Sequence, residues 1–214
     1  MSEWVPKTSL GRRVLSGEIT SFDQLVESNQ KVLEHQIIDI LIPDLKDEVM
    51  NVSSTQRMTA YGRKQHMRAV VIVGNNTGFI GVGVGKAAET RDAIEKAIKD
   101  AKMNIVKLNL GCGSWECGCG TPHSIPLTVS GANGSTNITI KPAPRGVGIV
   151  AGENSKKVLE MAGIKDCWTF AKGRTRNVLN TILATINALS SLNKLKQGVS
   201  TNPSSTEENA AGEN

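Results

Sequence analysis

Aromatic side chains are scarce in this chain: one Tyr, three Phe and three Trp, 3% of 214 residues. Modules that read single strands rely on exposed rings that stack on bases. Seven rings shared between cores and contacts favour recognition of backbone and shape, which for a nucleic-acid ligand means folded RNA. Long apolar runs are also missing. None approaches the roughly 20 residues of a membrane span, and Met1-Ser2-Glu3-Trp4 lacks the basic-then-apolar layout of a signal peptide. A soluble, intracellular protein with no membrane partner is expected. Cysteine is limited to four residues, three of them between positions 112 and 119, unlike the spread of a secreted disulfide framework.

The C-terminal end is acidic and free of cations. Residues 203–214 hold Glu207, Glu208 and Glu213 and no Lys or Arg; setting them aside raises the net charge from +5 for the whole chain to +8 for residues 1–202. A pI near 9.1 for a body with basic loops points to nucleic acid or an anionic surface. The length allows two small domains, each with a core of its own.

The densest signal lies between residues 68 and 104. Residues 69–73 are an unbroken β-branched and apolar run, hence a strand. Gly74-Asn75-Asn76-Thr77-Gly78 is turn chemistry. Residues 79–84 alternate glycine with apolar residues, so one strand face is nearly bare. Lys86 follows, and then a helix over 89–104 that buries Ala93, Ile94, Ala97, Ile98 and Ala101, with Arg91, Lys96, Lys99 and Lys102 elsewhere on it. The bare backbone suits either a polyanion surface or close packing of a helix. Nucleotide loops are excluded by spacing. G-x-x-x-x-G-K-[ST] needs glycine at Ile80 and a hydroxyl at Ala87, and G-x-G-x-x-G needs a glycine at Lys86.

Along the chain, residues 1–43 read as a loosely organised extension that packs on the body or on a neighbour. It has Lys7, Arg12 and Arg13 around Gly11, a capping box Ser21-x-x-Gln24 opening a helix with Phe22, Leu25 and Val26 on its apolar side, and an apolar run over 37–42. Residues 44–110 read as strands over 49–59, 67–73 and 79–84 followed by the helix, with a basic hairpin tip over 60–65. The β-β-β-α order matches double-stranded-RNA-binding modules, and Arg57, Arg63, Lys64, Arg68 and Lys86 are its candidate phosphate contacts. Residues 111–123 form a Cys-rich connector. Residues 124–195 form an α/β domain with strands over 125–129 and 136–140 around a turn at 131–134, a stiff loop over 142–148 carrying Arg145, a helix over 156–162 capped by Gly163, and a strand over 167–171. A basic turn with Lys172, Arg174 and Arg176 leads to a last helix burying Val178, Leu179, Ile182, Leu183, Ile186 and Leu189. Residues 196–214 lack periodicity and read as a disordered acidic tail.

In the connector, Cys112, Cys117, Cys119 and His123 give C-x4-C-x-C-x3-H, a thiolate and imidazole set that suits tetrahedral zinc. A metal-free loop of reduced cysteines and a redox or disulfide role stay open beside that reading. Trp115 between the cysteines is expected to pack rather than to stack on a base, and Cys167 beside Trp168 reads as a small core residue. Cys117 and His123 could be written as a thiolate–imidazole pair, but no third orienting group stands out in the sequence, and no enzymatic activity or small-molecule substrate is expected.

Residues 68–86, Pro142-Ala-Pro-Arg-Gly-Val-Gly-Ile-Val150, Leu159-Glu-Met-Ala-Gly-Ile-Lys-Asp-Cys167 and Ala171-Lys-Gly-Arg-Thr175 resemble the small-subunit ribosomal proteins of the S-five family, in their archaeal form. The resemblance covers about residues 44–192. It implies an α+β protein: a double-stranded-RNA-binding-like β-β-β-α module without that fold's usual first helix, then a two-layer α/β domain with a left-handed crossover. It implies binding to small-subunit rRNA near the path by which messenger RNA enters, contacts with the neighbouring S-four and S-eight proteins, a bearing on decoding accuracy through S-four, and a cytoplasmic, ribosome-bound location. By position, the hairpin from Arg57 to Arg68 corresponds to the family's RNA-inserting loop. The loops at 142–148 and 172–176 fall where rRNA or neighbours are faced. A free-standing double-stranded-RNA-binding regulator outside the ribosome is the alternative.

Overall fold

A computed structural model describes residues 4–27 and 30–193; the predicted tail at 196–214 lies outside the described residues. Three short helices open the chain: α1 (Ser9–Leu15), α2 (Phe22–Glu27) and α3 (His35–Leu41). The Gly11 N–H donates to Thr8 Oγ1 at 3.0 Å and so caps α1. Gln24 accepts the Thr20 N–H at 3.3 Å, one residue earlier than the capping box predicts. This region is not loosely organised. Val14, Ile19, Phe22, Leu25, Val32, Ile37, Ile38 and Ile42 form a buried cluster against which Phe79 and Ile105 of the body pack. The Phe22 ring stands edge-on to Phe79 at 5.4 Å, and two ion pairs reach across, Lys102–Asp39 at 2.5 Å and Lys107–Asp23 at 2.7 Å. Val26, predicted on the apolar side of α2, is exposed.

The first sheet is antiparallel in the order β1 (Lys46–Thr59), β2 (Gly62–Gly74), β3 (Phe79–Ala87), β4 (Ile105–Lys107). The first hairpin is longer than its hydrophobic pattern suggests, because both strands run past the core into solvent. Thr59 pairs with Gly62, so the tip is Ala60-Tyr61 and the predicted tip residues Arg63, Lys64 and Gln65 belong to β2. β4, which the sequence pattern does not announce, pairs with β3.

Helix α4 (Thr90–Met103) crosses one face of this sheet. Its Ala93, Ala97 and Ala101 are buried with Ala69, Val71 and Val73. The glycines of β3 make this approach possible: a Cβ on Gly83 would lie 2.0 Å from the Ala97 carbonyl oxygen, and one on Gly85 2.1 Å from that of Ala93. The bare strand face is therefore covered by a helix, and the polyanion-surface reading of that backbone is corrected.

The second sheet has the order β5–β6–β8–β7, formed by β5 (Val129–Asn133), β6 (Thr136–Pro142), β7 (Ile149–Val150) and β8 (Cys167–Gly173). β5, β6 and β8 are antiparallel neighbours, and β7 pairs with β8 in parallel through the crossover helix α5 (Glu153–Met161). The hairpin pairs Asn133 with Thr136, moving the turn to Gly134-Ser135. Predicted turn residue Gly131 lies inside β5 against Ala184 and Ala188 of α6 (Val178–Leu192). Residues 125–128 are not in a strand. In α6, Ile182 and Leu189 are buried as predicted. Val178, Leu179, Leu183 and Ile186 are only partly so, and Thr181, Ala184, Thr185, Ala188 and Leu192 complete the buried stripe.

The two halves do not keep separate cores. Val70 and Ile72 of β2 and Ile80 and Val82 of β3 share one buried cluster with Ile138, Ile140, Leu159, Ile182 and Leu189. Residues 69–73 are buried on both sides, by α4 on one and the second half on the other, which explains their unbroken apolar run.

Candidate nucleic-acid interface

Strand alternation sets the geometry of the cationic surface. On β2, Lys64, His66 and Arg68 share a face with Val70 and Ile72; on β3, Lys86 shares it with Val82 and Ile80. Where that face meets the second half it is core, and beyond it the same face turns cationic. Register places Arg57 opposite Lys64, Thr55 opposite His66, Ser53 opposite Arg68, and Arg68 opposite Lys86. A groove of about 510 Å³ is lined by Arg57, Lys64, His66 and Lys86 with Thr55, Gln56 and Thr59. Arg63, opposite Met58, has the other strand parity and does not line it.

Two features of this face fit an anion. Like charges directly opposite one another destabilise a bare strand pair, and residues 49–88 contain no Asp or Glu to offset them. Arg68 Nε and Ser53 Oγ are buried atoms without a hydrogen-bond partner, although such groups ordinarily find one. Among the described residues, none of the nine predicted RNA contacts (Arg57, Arg63, Lys64, Arg68, Lys86, Arg145, Lys172, Arg174 and Arg176) takes part in an ion pair. All are exposed except the half-buried Arg68. His66 lines the groove without being among the predicted contacts; the forty-residue gap in acidic residues is the sequence signal that marks its surroundings.

Lys172 is the penultimate residue of β8, and Arg174 and Arg176 lie in the turn before α6, which is held by Thr136 Oγ1 donating to the Arg174 carbonyl at 2.9 Å and Thr181 Oγ1 donating to that of Thr175 at 3.1 Å. Three rings escape the cores: Tyr61 at the hairpin tip and Trp115 in the connector are almost fully exposed, and Phe170 is half so. Trp115 does not pack as expected. Few rings in total therefore still leave some available for stacking.

The connector gathers its four candidate ligands. The three sulfurs and one His123 nitrogen lie within 4.8 Å of one another, with Cys117 Sγ 3.1 Å from Cys119 Sγ and 3.7 Å from His123 Nε2. Zinc distances imply tetrahedral edges of about 3.8 Å between sulfurs and about 3.5 Å between sulfur and nitrogen. His123 is held from behind by a residue that sequence reasoning missed: Asp166 Oδ2 accepts from Nδ1 at 2.9 Å, both side chains being buried. Forty-three positions separate the pair, and no local spacing announces it. Asp166 also supplies the orienting group that a thiolate–imidazole reading lacked. Yet Nε2 faces a cluster of three sulfurs, and a carboxylate behind an imidazole is equally the arrangement of metal-bound histidines.

Titration behaviour follows the contacts. Burial alone would lower the His123 pKa, but hydrogen bonds with Cys117, Asp166 and Cys119 outweigh it and raise it. Hydrogen bonds from Thr121 and Cys117 bring the Cys119 thiol down to about 6, whereas desolvation and its sulfur neighbours push Cys112 up to about 11. Burial opposes ionisation of Asp166, but the Gly148 and Gly146 amides hold its pKa below the ordinary value. Cys167, fully buried in β8, is pushed up to about 12 by desolvation, consistent with its reading as a core residue.

The chain thus combines a two-half α+β fold, a protruding cationic hairpin and a Cys3His connector, and the comparisons with known proteins assign its family. The family model described as "Ribosomal protein S5, N-terminal domain" matches residues 45–109, and that described as "Ribosomal protein S5, C-terminal domain" matches residues 131–201. The chain is 55% identical over 197 residues to the small ribosomal subunit protein uS5 of Methanoregula boonei, covering 92% of this chain and 96% of that one. It is 53% identical to uS5 of Methanocaldococcus jannaschii (90% and 89% covered) and 52% identical to uS5 of Ignicoccus hospitalis (87% and 89% covered). The chain belongs to the ribosomal protein S5 family.

Proposed function

We propose that this chain is a structural constituent of the archaeal small ribosomal subunit that grips rRNA through the β1–β2 hairpin face. Its family consists of structural ribosomal proteins that bind rRNA and neighbouring ribosomal proteins; they are not enzymes, and they work in the cytoplasm on the ribosome. The observation that carries the hairpin assignment is the unneutralised set Arg57, Lys64, Arg68 and Lys86 on one face, with two opposed like-charge pairs and no acidic residue from 49 to 88. Phosphate neutralisation supplies affinity, and the shared core fixes the spacing of the cations. Arg63 near the start of β2, Lys172 in β8 and the loop cations Arg145, Arg174 and Arg176 complete the proposed set.

The same proposal extends to the residue limits 1–43, 44–110, 111–123, 124–195 and 196–214 for extension, RNA-binding-like domain, connector, α/β domain and tail. It also extends to the finer placement that the family resemblance supports: beside the incoming messenger RNA, against S-four and S-eight, with a bearing on decoding accuracy. Zinc(II) is the cofactor the connector fits, with Cys112, Cys117, Cys119 and His123 as ligands. When bound it supplies a cross-link, not a reaction. Sedimentation of tagged full-length chain tests the main reading: co-migration with small subunits is expected, and a chain found only in ribosome-free fractions would favour the free-standing RNA-binding regulator.

A further inference from the structure

The ligand cluster and the Arg145 loop converge on one buried carboxylate. Asp166 Oδ2 accepts from His123 Nδ1 at 2.9 Å. Its Oδ1 accepts the Gly146 N–H at 3.0 Å and the Gly148 N–H at 2.8 Å. Both glycines have positive φ, 93° and 76°, which turns their amides toward a single oxygen at no side-chain cost. The loop touches the cluster a second time, because the Arg145 backbone N–H donates to the Cys117 sulfur. The backbone N–H groups of Lys165 and Asp166 both donate to the His123 carbonyl, at 2.9 and 3.2 Å, tying the carboxylate's own segment to the connector.

We infer that metal binding by Cys112, Cys117, Cys119 and His123 is coupled through Asp166 to the ordering of residues 142–148, so that a loaded cluster presents Arg145 as a fixed phosphate contact. This rests on the zinc reading above. A metal held by Nε2 requires the ring proton on Nδ1, where it donates to Asp166. Without metal the Nε2 side of the ring has only sulfur contacts to hold it, Cys117 at 3.7 Å, so the ring and the carboxylate behind it are less firmly fixed. A metal-bound Cys117 thiolate also accepts the Arg145 N–H more strongly than a thiol does. Coupling of this kind is reciprocal: an ordered loop raises metal affinity as much as metal orders the loop. A loop fixed in advance loses less freedom when it meets RNA.

The test uses full-length protein, zinc(II) in competition with a chromogenic chelator, and amide hydrogen exchange at Gly146 and Gly148. Wild type is expected to take one zinc per chain, with exchange at both glycines slowed at least tenfold on loading. His123→Cys retains a four-thiolate site but has no ring proton for Asp166, so zinc still binds and the two amides do not slow. Asp166→Asn weakens zinc binding about 10–100-fold. Zinc binding by wild type with unchanged exchange at both amides overturns the coupling and leaves the metal site standing. Equal slowing in His123→Cys overturns the imidazole route. Failure of wild type to bind zinc removes the metal reading and the coupling together. The wild-type comparison alone decides the central question if a variant fails to fold.

Discussion

Arg57 on β1 and Lys64 on β2 stand directly opposite each other, two cations on one face of a hairpin that has no carboxylate from residue 49 onward. A strand pair arranged for stability alone would place opposite charges there. The local cost is set against binding to a polyanion.

That arrangement makes rRNA affinity steeply dependent on salt. Single substitutions Arg57→Gln, Lys64→Gln and Lys86→Gln are each expected to lower the slope of log affinity against log salt by about one. Lys102, already paired with Asp39 on α3, serves as the contrast, and Lys102→Gln should leave the slope unchanged. Filter binding with a small-subunit rRNA fragment over a range of salt concentrations checks both.

The glycine stripe of β3 is tested by Gly83→Ala. An added Cβ meets the Ala97 carbonyl at 2.0 Å and the Ala101 backbone nitrogen at 2.3 Å, so α4 must lift from the sheet. A loss of about 1–3 kcal/mol or more is expected from urea unfolding. Gly118→Ala, where the new carbon meets nothing within 4 Å, should stay within about 0.5 kcal/mol of wild type.

Most of the sheet and helix order is legible in sequence because its pattern is local: the apolar run at 69–73, the Gly-x-Gly alternation at 81–85, and the alanines of α4. Residues that close contacts across the fold are not. Asp166 reads as an ordinary loop acid until the chain brings it to His123, and the three-residue β4 and two-residue β7 are too short to carry a period. The glycine face misleads in the opposite direction, since an uncovered strand and one covered by alanines have the same spacing. The shared core is hidden for a related reason: no pattern within β2 tells which neighbour lies on each of its buried faces.

Alkaline pH should weaken the fold through Cys167. Its folded-state pKa is raised to about 12 from 9.0, so the contribution is fully present below about pH 9. It is lost as pH rises from there toward 12, because the unfolded chain releases the proton first. The slope attributable to this group reaches up to about 1.4 kcal/mol per pH unit. Urea midpoints between pH 8 and 10.5 should fall more steeply for wild type than for Cys167→Ala.

The N-terminal helices are docked through Phe22 and Phe79, whose rings meet edge-on at 5.4 Å. Phe22→Ala is expected to remove about 3 kcal/mol of local packing and to release this region while the body stays folded. Limited proteolysis should then cut within residues 4–42 much faster than in wild type, with fragments from 45 onward persisting.

The most direct measurement is incorporation of the triple variant Arg57→Gln, Lys64→Gln, Lys86→Gln into small subunits, scored by quantitative sedimentation beside wild type and checked for an unchanged urea midpoint. A drop of at least about tenfold is expected if these side chains grip phosphate. Incorporation equal to wild type by an equally stable chain would contradict the account.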